Sequence, residues 1–274
     1  MVRSPKVAIV VLNYLNDNDT VECVESTFSL EGGPYDVIVV DNASPNGAYD
    51  RLHKRFEKDP RVTLLQSSKN LGFARGNNLG IRYARRKKKA DFVLAVNNDT
   101  VFTDTAYITK MLEAYEPGIG VLGSQVVLNG GKIQDRYTSC LGLRYCWLRE
   151  INLCSEVQGS SFDFELPREK AIAILHGAVL FFTPDFFRWY GGLYARTFLY
   201  KEEEILYLMC VCHGLRQKYV DTTRLYHKED QSSELSFGND HQVKLKFYAQ
   251  SYKWVLWWRL KAALLGKMPF DIKK

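Results

Sequence analysis

The sequence predicts an α/β fold, in which a mostly parallel sheet is flanked by helices and followed by a C-terminal helical appendage. Short apolar runs alternate with amphipathic segments along the first half of the 274-residue chain, and this alternation is typical of a parallel sheet wrapped by helices. The runs are rich in β-branched residues, as expected for strands that are buried on both faces. A net charge of +6 allows an anionic partner but selects none.

Each strand is predicted from one short apolar run. In chain order the predicted strands are KVAIVVLNY (6–14), DVIVVDNAS (36–44), RVTLLQSS (61–68), DFVLAVNNDT (91–100), GIGVLGSQVVL (118–128), AIAILHGAVLFF (171–182) and QKYVDTTRLYH (217–227). From about residue 128 to 170 the pattern is mixed with Gly, Ser and Cys, which indicates an irregular insertion.

The helices are predicted from apolar residues at helical spacing. They are DTVECVESTFSL (19–30), GAYDRLHKRFEKD (47–59), GFARGNNLGIRYARRKKKA (72–90), TDTAYITKMLEAYE (103–116), TPDFFRWYGG (183–192), KEEEILYLMCVCHGLR (201–216) and a tail from about 239 to 266. Asp19 or Thr20 can cap the first helix. The cations of RRKKK (85–89) suit a solvated helix C-terminus. No repeat or flexible linker divides the chain.

The sequence lacks the signals that mark several other functional classes. The first apolar run is too short for a signal peptide, and no stretch of about 20 apolar residues predicts a membrane span. The first strand is followed by NYLNDND, without the glycine-rich turn of a dehydrogenase. No nucleic-acid-binding module is recognised. The six cysteines form no CxxC pair and indicate reduced thiols and a cytoplasmic protein, with a zinc site at Cys140, Cys146 and Cys154 as the alternative.

Polar side chains gather where predicted strands end, which is where sheets of this type bind ligands. They include Asn13, Asp41 and the triplet Asn97 to Asp99. The Asp41 carboxylate can accept hydrogen bonds from a nucleobase or a ribose, and a turn residue is the alternative. Gly72 permits close backbone approach at a helix start that can face phosphate, and a glycine turn without ligand is the alternative.

Three further positions carry candidate chemistry. Asp99 can hold Mg²⁺ or Mn²⁺ when diphosphate oxygens complete the coordination shell, although an NND triplet is also common in turns. The three glutamates of YKEEEIL (200–206) either complement a helix dipole or supply a general base. His227 follows a strand, and a lone histidine is more often structural.

These segments together resemble the family 2 glycosyltransferases of the GT-A fold, especially the rhamnosyltransferase-like bacterial branch. VAIVVLNY, VIVVDNAS, NLGFARGNN, VNNDT, GGLYARTFLYKEEEIL and YH occur in the family's order between residues 7 and 227. The resemblance implies a Rossmann-like GT-A catalytic domain over 1–237. Its nucleotide-binding half would cover about 1–127 and its acceptor-binding half about 128–237, with the tail over 238–274.

The resemblance also implies site residues. Asp41 would contact the nucleotide base, Asp99 would face a Mg²⁺ or Mn²⁺ ion, and His227 would lie near the diphosphate and the metal. Residues 72–78 would line the nucleotide pocket. The residues predicted to bind the nucleotide sugar are Asn13, Asp41, Asn70, Gly72, Phe73, Asn77, Asn97 and Asn98.

The implied reaction is an inverting transfer of a sugar to a hydroxyl group, and Glu203 takes the place of the family's catalytic base, preceded by Glu202. The chain departs from the family pattern at Asn97, where an acid is usual, at Glu203, where the family has Asp, and at Ile205, where it has a further acid. Glu202 or Glu204 are therefore alternative bases. A sugar-nucleotide-binding or scaffolding protein with impaired catalysis is the alternative function.

The implied partners are a nucleoside-diphosphate sugar, either dTDP-rhamnose or a UDP-hexose, and a glycan or lipid-linked glycan acceptor in cell-surface polysaccharide synthesis. The tail interleaves Lys and Arg with Trp254, Trp257 and Trp258, a composition that suits the inner face of a membrane. Packing on the catalytic body or a homodimer contact is the alternative use of the tail. Nucleic acid is not an expected partner.

Overall fold

The computed structural model describes residues 4–134, 136–140, 171–228 and 241–267. The strands of the described residues are β1 (Val7–Asn13), β2 (Asp36–Asp41), β3 (Val62–Gln66), β4 (Phe92–Asn97), β5 (Thr100–Phe102), β6 (Ile119–Val127), β7 (Arg136–Cys140), β8 (Ala171–Leu175), β9 (Val179–Phe182) and β10 (Arg216–His227). The helices are α1 (Asp17–Ser26), α2 (Ala48–Phe56), α3 (Phe73–Arg86), α4 (Tyr107–Glu113), α5 (Pro184–Phe187), α6 (Glu202–Cys212) and α7 (His241–Leu264).

Eight strands form one mixed sheet in the order β3-β2-β1-β4-β9-β6-β10-β5, and β7 pairs with β8 in a separate ladder. β3, β2, β1 and β4 are mutually parallel, as are β6 and β10. β9 is antiparallel to both β4 and β6, and β5 is antiparallel to β10 at the edge. The predicted α/β fold with a C-terminal helix is confirmed, and its parallel part is concentrated in the first half.

Two predicted strands are interrupted, contrary to the apolar runs that predicted them. The run 91–100 leaves the sheet after Asn97, and β5 begins at Thr100 on the far edge beside β10. The run 171–182 breaks at a tight turn, in which the Ala178 N–H donates to His176 Nδ1 at 3.0 Å. The hydrophobic pattern of a sequence does not reveal such breaks, because the residues on both sides of them are apolar.

The two faces of the sheet are covered by different helices. One buried cluster joins β1 and β2 to α3, α6 and α7, and the other joins them to α1, α2 and α4. Along β1, alternate residues enter the two clusters, so residues 7–11 are nearly fully buried. Burying one such Val or Ile side chain contributes about 1.5–3 kcal/mol.

The C-terminal helix packs on the body, mainly against α6. Val255, Trp258 and Ala262 are at most 3% exposed, so its inner face belongs to the core. No helix of the described residues combines the length and apolar character needed to cross a membrane. Cys23, Cys210 and Cys212 are buried free thiols. Cys146 and Cys154 of the zinc alternative and most of the 128–170 insertion lie outside the described residues, and the predicted domain boundaries stay predictions.

Candidate functional site

The carboxyl ends of three neighbouring strands meet at one edge, as predicted. Asn13 at the end of β1 is opposite Asp41 of β2, and Leu12 is opposite Asn97 of β4. The strands thus bring the residues predicted from separate parts of the sequence onto one edge of the sheet.

Asp41 is fully buried and organises the loop that follows β2. Its Oδ1 accepts from Asn13 Nδ2 at 2.7 Å and from Ser44 Oγ at 2.6 Å. Its Oδ2 accepts from the Ser44 N–H at 3.1 Å. The contact of Asp41 with a nucleotide base stays a prediction, and what the structure describes is a framework carboxylate that shapes this end of the edge.

A hydroxyl group links this framework to the start of α1. Thr20 Oγ1 donates to Asn13 Oδ1 at 2.8 Å. Asn98 Nδ2 contacts the same hydroxyl at 3.1 Å and the Asn16 carbonyl at 2.9 Å. The Asn98 amide therefore fastens α1 to the turn after β4. Asn97 is half-buried, and its backbone N–H donates to the Ala178 carbonyl at 3.0 Å.

Position 72, in the predicted nucleotide loop, requires a glycine because the backbone of Phe198 packs directly against it. Gly72 has φ +77°, and a Cβ there would lie 2.3 Å from the carbonyl oxygen of Phe198. The Phe73 N–H donates to that oxygen at 2.8 Å. The close backbone approach inferred from the sequence is thus made to the segment that precedes the three glutamates.

Two asparagines predicted to bind the nucleotide sugar also have internal partners. Asn70 Oδ1 accepts from Asn42 Nδ2 at 3.0 Å and from the Gly72 N–H at 2.9 Å. Asn77 is buried, and its Nδ2 donates to the Phe73 carbonyl at 3.1 Å. The ligand roles of Asn70, Phe73 and Asn77 stay predictions beside these structural roles.

Asp99 and His227 are brought together by the path of the chain. The turn after β4 carries Asp99 across to β5, where Thr100 is paired with His227 at the end of β10. His227 Nε2 lies 3.1 Å from Asp99 Oδ1, and both side chains are buried. Despite this short distance, Asp99 Oδ1 and both ring nitrogens of His227 have no hydrogen-bond partner of good geometry among the described residues.

This pair fits a divalent cation only if other ligands complete the shell. Buried polar atoms without well-aligned hydrogen bonds are available to bind a ligand. A carboxylate with an imidazole suits Mn²⁺ better than Mg²⁺, which prefers oxygen ligands. The described residues contain no group of three or more His, Cys, Asp or Glu placed to hold a metal. Diphosphate oxygens or water would have to supply the remaining positions.

The three glutamates at the start of α6 have different surroundings. Glu204 is paired with Arg259 of α7, and this pairing argues against its use as the base. Glu202 is buried, and burial followed by the charge of Glu203 raises its pKa well above the usual range. Glu203 is partly exposed, and its Oε1 would lie 2.2 Å from a Cβ added at Gly177. Burial raises the pKa of Glu203 as well.

His176 was not predicted as a site residue from the sequence, yet this buried residue lies against His227 and precedes the glycine that contacts Glu203. Its ring centroid is 5.8 Å from that of His227 in an edge-to-face arrangement. The next residue, Gly177, is the one that Glu203 packs against. The β8–β9 turn thus connects the Asp99–His227 pair with Glu203, and a histidine inside an apolar run is easily missed.

Lys228 is a second residue that sequence reasoning missed. Its Nζ lies 2.7 Å from Asp19 Oδ1 and 2.5 Å from Glu22 Oε2. The backbone N–H of Lys228 donates to the Asp99 carbonyl at 2.9 Å. Burial lowers the pKa of Lys228, but the hydrogen bonds that its ammonium donates to the two carboxylates outweigh burial and raise this pKa. This residue fastens the end of β10 to α1.

The family model of glycosyl transferase family 2 matches residues 7–223. The chain belongs to this family. The match covers both the Asn13–Asp41 edge and the α6 glutamates. Of the residues described above, His227 and Lys228 follow its end at residue 223, and Arg259 lies further along the chain.

Curated relatives also carry glycosyltransferase names. An N-acetylglucosaminyltransferase of Bradyrhizobium elkanii is 29% identical over 126 residues, which are 45% of this chain and 67% of that protein. The low-salt glycan biosynthesis hexosyltransferase Agl10 of Haloferax volcanii is 22% identical over 196 residues, which are 72% of this chain and 58% of that protein. The chain thus spans about two thirds or less of these two relatives.

Solved structures share the fold at low identity. A mannosyltransferase of Pyrobaculum calidifontis in complex with GDP-Man and Mn²⁺ has a TM-score of 0.58 and 15% identity over 96% of this chain and 74% of its own. S. aureus TarS with UDP-GlcNAc has a TM-score of 0.56 and 13% identity over 85% of this chain and 61% of its own. These similarities confirm the predicted GT-A fold, and the protein is a glycosyltransferase by family.

Proposed function

We propose that this family 2 glycosyltransferase is an inverting, divalent-metal-assisted enzyme that transfers a sugar from a nucleoside-diphosphate sugar to a hydroxyl of a glycan or lipid-linked glycan. The observation that carries the proposal is the buried Asp99–His227 pair, whose facing atoms lie 3.1 Å apart. The β8–β9 turn links this pair to Glu203 through His176 and Gly177. Both lie at the carboxyl-terminal edge of the strands, where this kind of sheet binds ligands.

The residues of the chain suggest how the reaction would proceed. Glu203 takes the proton of the acceptor hydroxyl while that oxygen forms a bond to the anomeric carbon. The bond from this carbon to the diphosphate oxygen breaks, and its electron pair leaves with the diphosphate. Attack from the opposite face inverts the anomeric configuration. A cation held by Asp99 and His227 would neutralise charge on the leaving group when bound.

We propose a UDP-hexose or UDP-N-acetylhexosamine as the donor, with dTDP-rhamnose as the alternative. The support is the N-acetylglucosaminyltransferase name of several relatives and the UDP-GlcNAc bound by a structural neighbour. We propose cell-surface glycan synthesis as the setting.

A nucleotide panel tests this function. UDP, GDP and dTDP are compared by thermal shift with Mn²⁺ or with EDTA, and nucleotide release is then measured from UDP-N-acetylglucosamine, GDP-mannose and dTDP-rhamnose. We expect one nucleotide to stabilise the protein only with Mn²⁺, and the effect to be lost in Asp99→Ala. Stabilisation that is independent of both metal and Asp99 would contradict the proposed site. Binding without turnover would favour the sugar-nucleotide-binding alternative.

We also propose that the outer face of α7 rests on an anionic membrane. Trp257, Leu260 and Leu264 are 44%, 52% and 80% exposed, and Lys253 is exposed on the same face of the helix. Residues 241–267 contain no Asp or Glu. Apolar and aromatic side chains among cations suit an anionic lipid surface.

Vesicle sedimentation tests the membrane contact. Trp257→Ser with Leu260→Ser should release the protein from vesicles containing phosphatidylglycerol, whereas Ile133→Ser, at a residue that is also 52% exposed, should not. Equal binding of both variants would contradict the contact. A dimer that forms without vesicles and is lost in the double variant would show that this face joins two copies instead.

A further inference from the structure

Residues 198–204, here called the base segment, lead into α6 and carry Glu202 and Glu203. The C-terminal helix holds this segment along its length. The Phe247 ring stacks on that of Phe198, with centroids 4.8 Å apart. Ser251 Oγ donates to the Leu199 carbonyl at 2.9 Å.

A buried ion cluster continues the contact at the start of α6. Arg259 Nη2 lies 2.5 Å from Glu204 Oε1, and Lys201 Nζ lies 3.4 Å from Glu204 Oε2. All three side chains are at most 9% exposed. The Lys201 ammonium is also 4.5 Å from the centre of the Tyr248 ring. Removing one partner of such a cluster leaves a buried charge without compensation.

The base segment has a backbone conformation that needs outside support. Tyr200 and Lys201 both have left-handed backbone, with φ of 71° and 70°. Non-glycine residues rarely adopt this conformation, and it persists only where the surrounding structure enforces it. The contacts from α7 bracket these two residues, since they involve Leu199 on one side and Glu204 on the other.

We infer that Arg259 is a positioning residue, which fixes the carboxyl of Glu203 through the ion pair with the neighbouring Glu204. The inference rests on the proposed role of Glu203 as the base. Glu203 packs directly against Gly177, so a small rotation of the first turn of α6 moves its carboxyl relative to the acceptor. A displacement of about 1 Å at a reacting group can change a rate by about 10²-fold.

The test compares Arg259→Gln with the wild type and with Arg259→Lys. Turnover is measured as nucleotide release from the three sugar nucleotides of the panel with Mn²⁺, and affinity as the Kd of the nucleoside diphosphates. Arg259→Gln should lower kcat about 10- to 100-fold and leave the Kd unchanged within about twofold. Arg259→Lys keeps the positive charge and should therefore keep a kcat close to that of the wild type. Arg196→Gln, which removes a cation that lies 4.9 Å over Trp254 of the same helix, is the matched control and should keep wild-type kcat.

Hydrogen exchange gives a readout that does not need activity. Amides of the base segment should exchange at least about tenfold faster in Arg259→Gln, while amides of β1 keep their wild-type rates. Unchanged exchange in the base segment, or wild-type kcat in a folded Arg259→Gln protein, would overturn the inference. If Arg259→Gln does not fold, Ser251→Ala removes a single hydrogen bond to the same segment, and a kcat equal to that of the wild type would overturn it equally.

Glu203→Gln separates this inference from the proposed function. If Glu203→Gln is inactive and Arg259→Gln is fully active, the positioning role is wrong and the base stands. If Glu203→Gln is as active as the wild type, the proposed base itself is wrong.

Discussion

The two halves of the site edge differ in how fully their polar side chains are hydrogen-bonded. On the β1–β2 side, the Asn13, Asp41 and Thr20 side chains form a closed set of hydrogen bonds. On the β10 side, Asp99 and His227 face each other with atoms that lack hydrogen-bond partners among the described residues. The first half is a closed framework, and the second holds the two side chains proposed above as cation ligands.

This difference separates residues whose hydrogen bonds hold the fold from the residues proposed to take part in the reaction. A buried hydrogen bond contributes about 0.5–1.5 kcal/mol, whereas leaving a buried polar group without a partner costs about 1–3 kcal/mol. On the proposed function, a bound cation and diphosphate would supply partners for the atoms of Asp99 and His227 that lack a well-aligned hydrogen bond among the described residues. Substitutions in the framework should lower stability, and substitutions in the second half should lower activity.

The largest expected effect is the loss of the base. Glu203→Gln should lower the rate of transfer by about 10²–10⁴-fold, the usual contribution of general base catalysis, and leave the melting temperature nearly unchanged. Glu202→Gln is the matched control. Burial and the neighbouring Glu203 raise the pKa of Glu202, and glutamine resembles a protonated carboxyl, so this variant should keep most of the activity. The opposite pattern would make Glu202 the base.

The close packing of the loop that contains Gly72 can be tested by substituting this glycine. Gly72→Ala brings a methyl group against the Phe198 carbonyl, so it should lower the free energy of unfolding by about 1–3 kcal/mol more than Gly130→Ala. Gly130 has a similar φ of +76° and open space around it, so it isolates the steric contact. Denaturant unfolding of both variants measures the difference, and equal stabilities would contradict the close packing.

The Asp99–His227 pair predicts that the affinity for the metal depends on bound nucleotide. With only Asp99 and His227 as protein ligands, Mn²⁺ should bind weakly alone and about 5- to 150-fold more tightly with the nucleoside diphosphate, the usual range of coupling between ligands. Calorimetry with and without the nucleotide measures this ratio. Tight Mn²⁺ binding to the nucleotide-free protein would show that the chain supplies more ligands than this pair.

The smallest effect concerns pH. Burial raises the pKa of Glu203, and a base must be deprotonated to act. Activity should therefore fall with decreasing pH through a value above the ordinary pKa of a glutamate, which is about 4.3. The pH profile of kcat measures that limb. An acidic limb at or below the ordinary glutamate value would contradict the raised pKa.

The sequence predicted the strands and the shared edge, because buried parallel strands are continuous apolar runs and their ends carry polar residues. The resemblance to a family predicted that Asp99 and His227 lie close together, and the structure brings them to 3.1 Å, while their metal role stays a proposal. Local patterns could not show that Glu204 is tied to Arg259, since this contact joins residues 55 positions apart. They also could not show that Gly72 faces Phe198, because that contact depends on the path of the whole chain.

The separation of Glu204 and Arg259 has a consequence for biosynthesis. At about 5–20 residues per second, the 55 residues from the one after Glu204 up to Arg259 take roughly 3 to 11 s to synthesise. The ion pair with Arg259 can therefore form only after that interval, so the first turn of α6 gains this partner well after α6 itself has been synthesised.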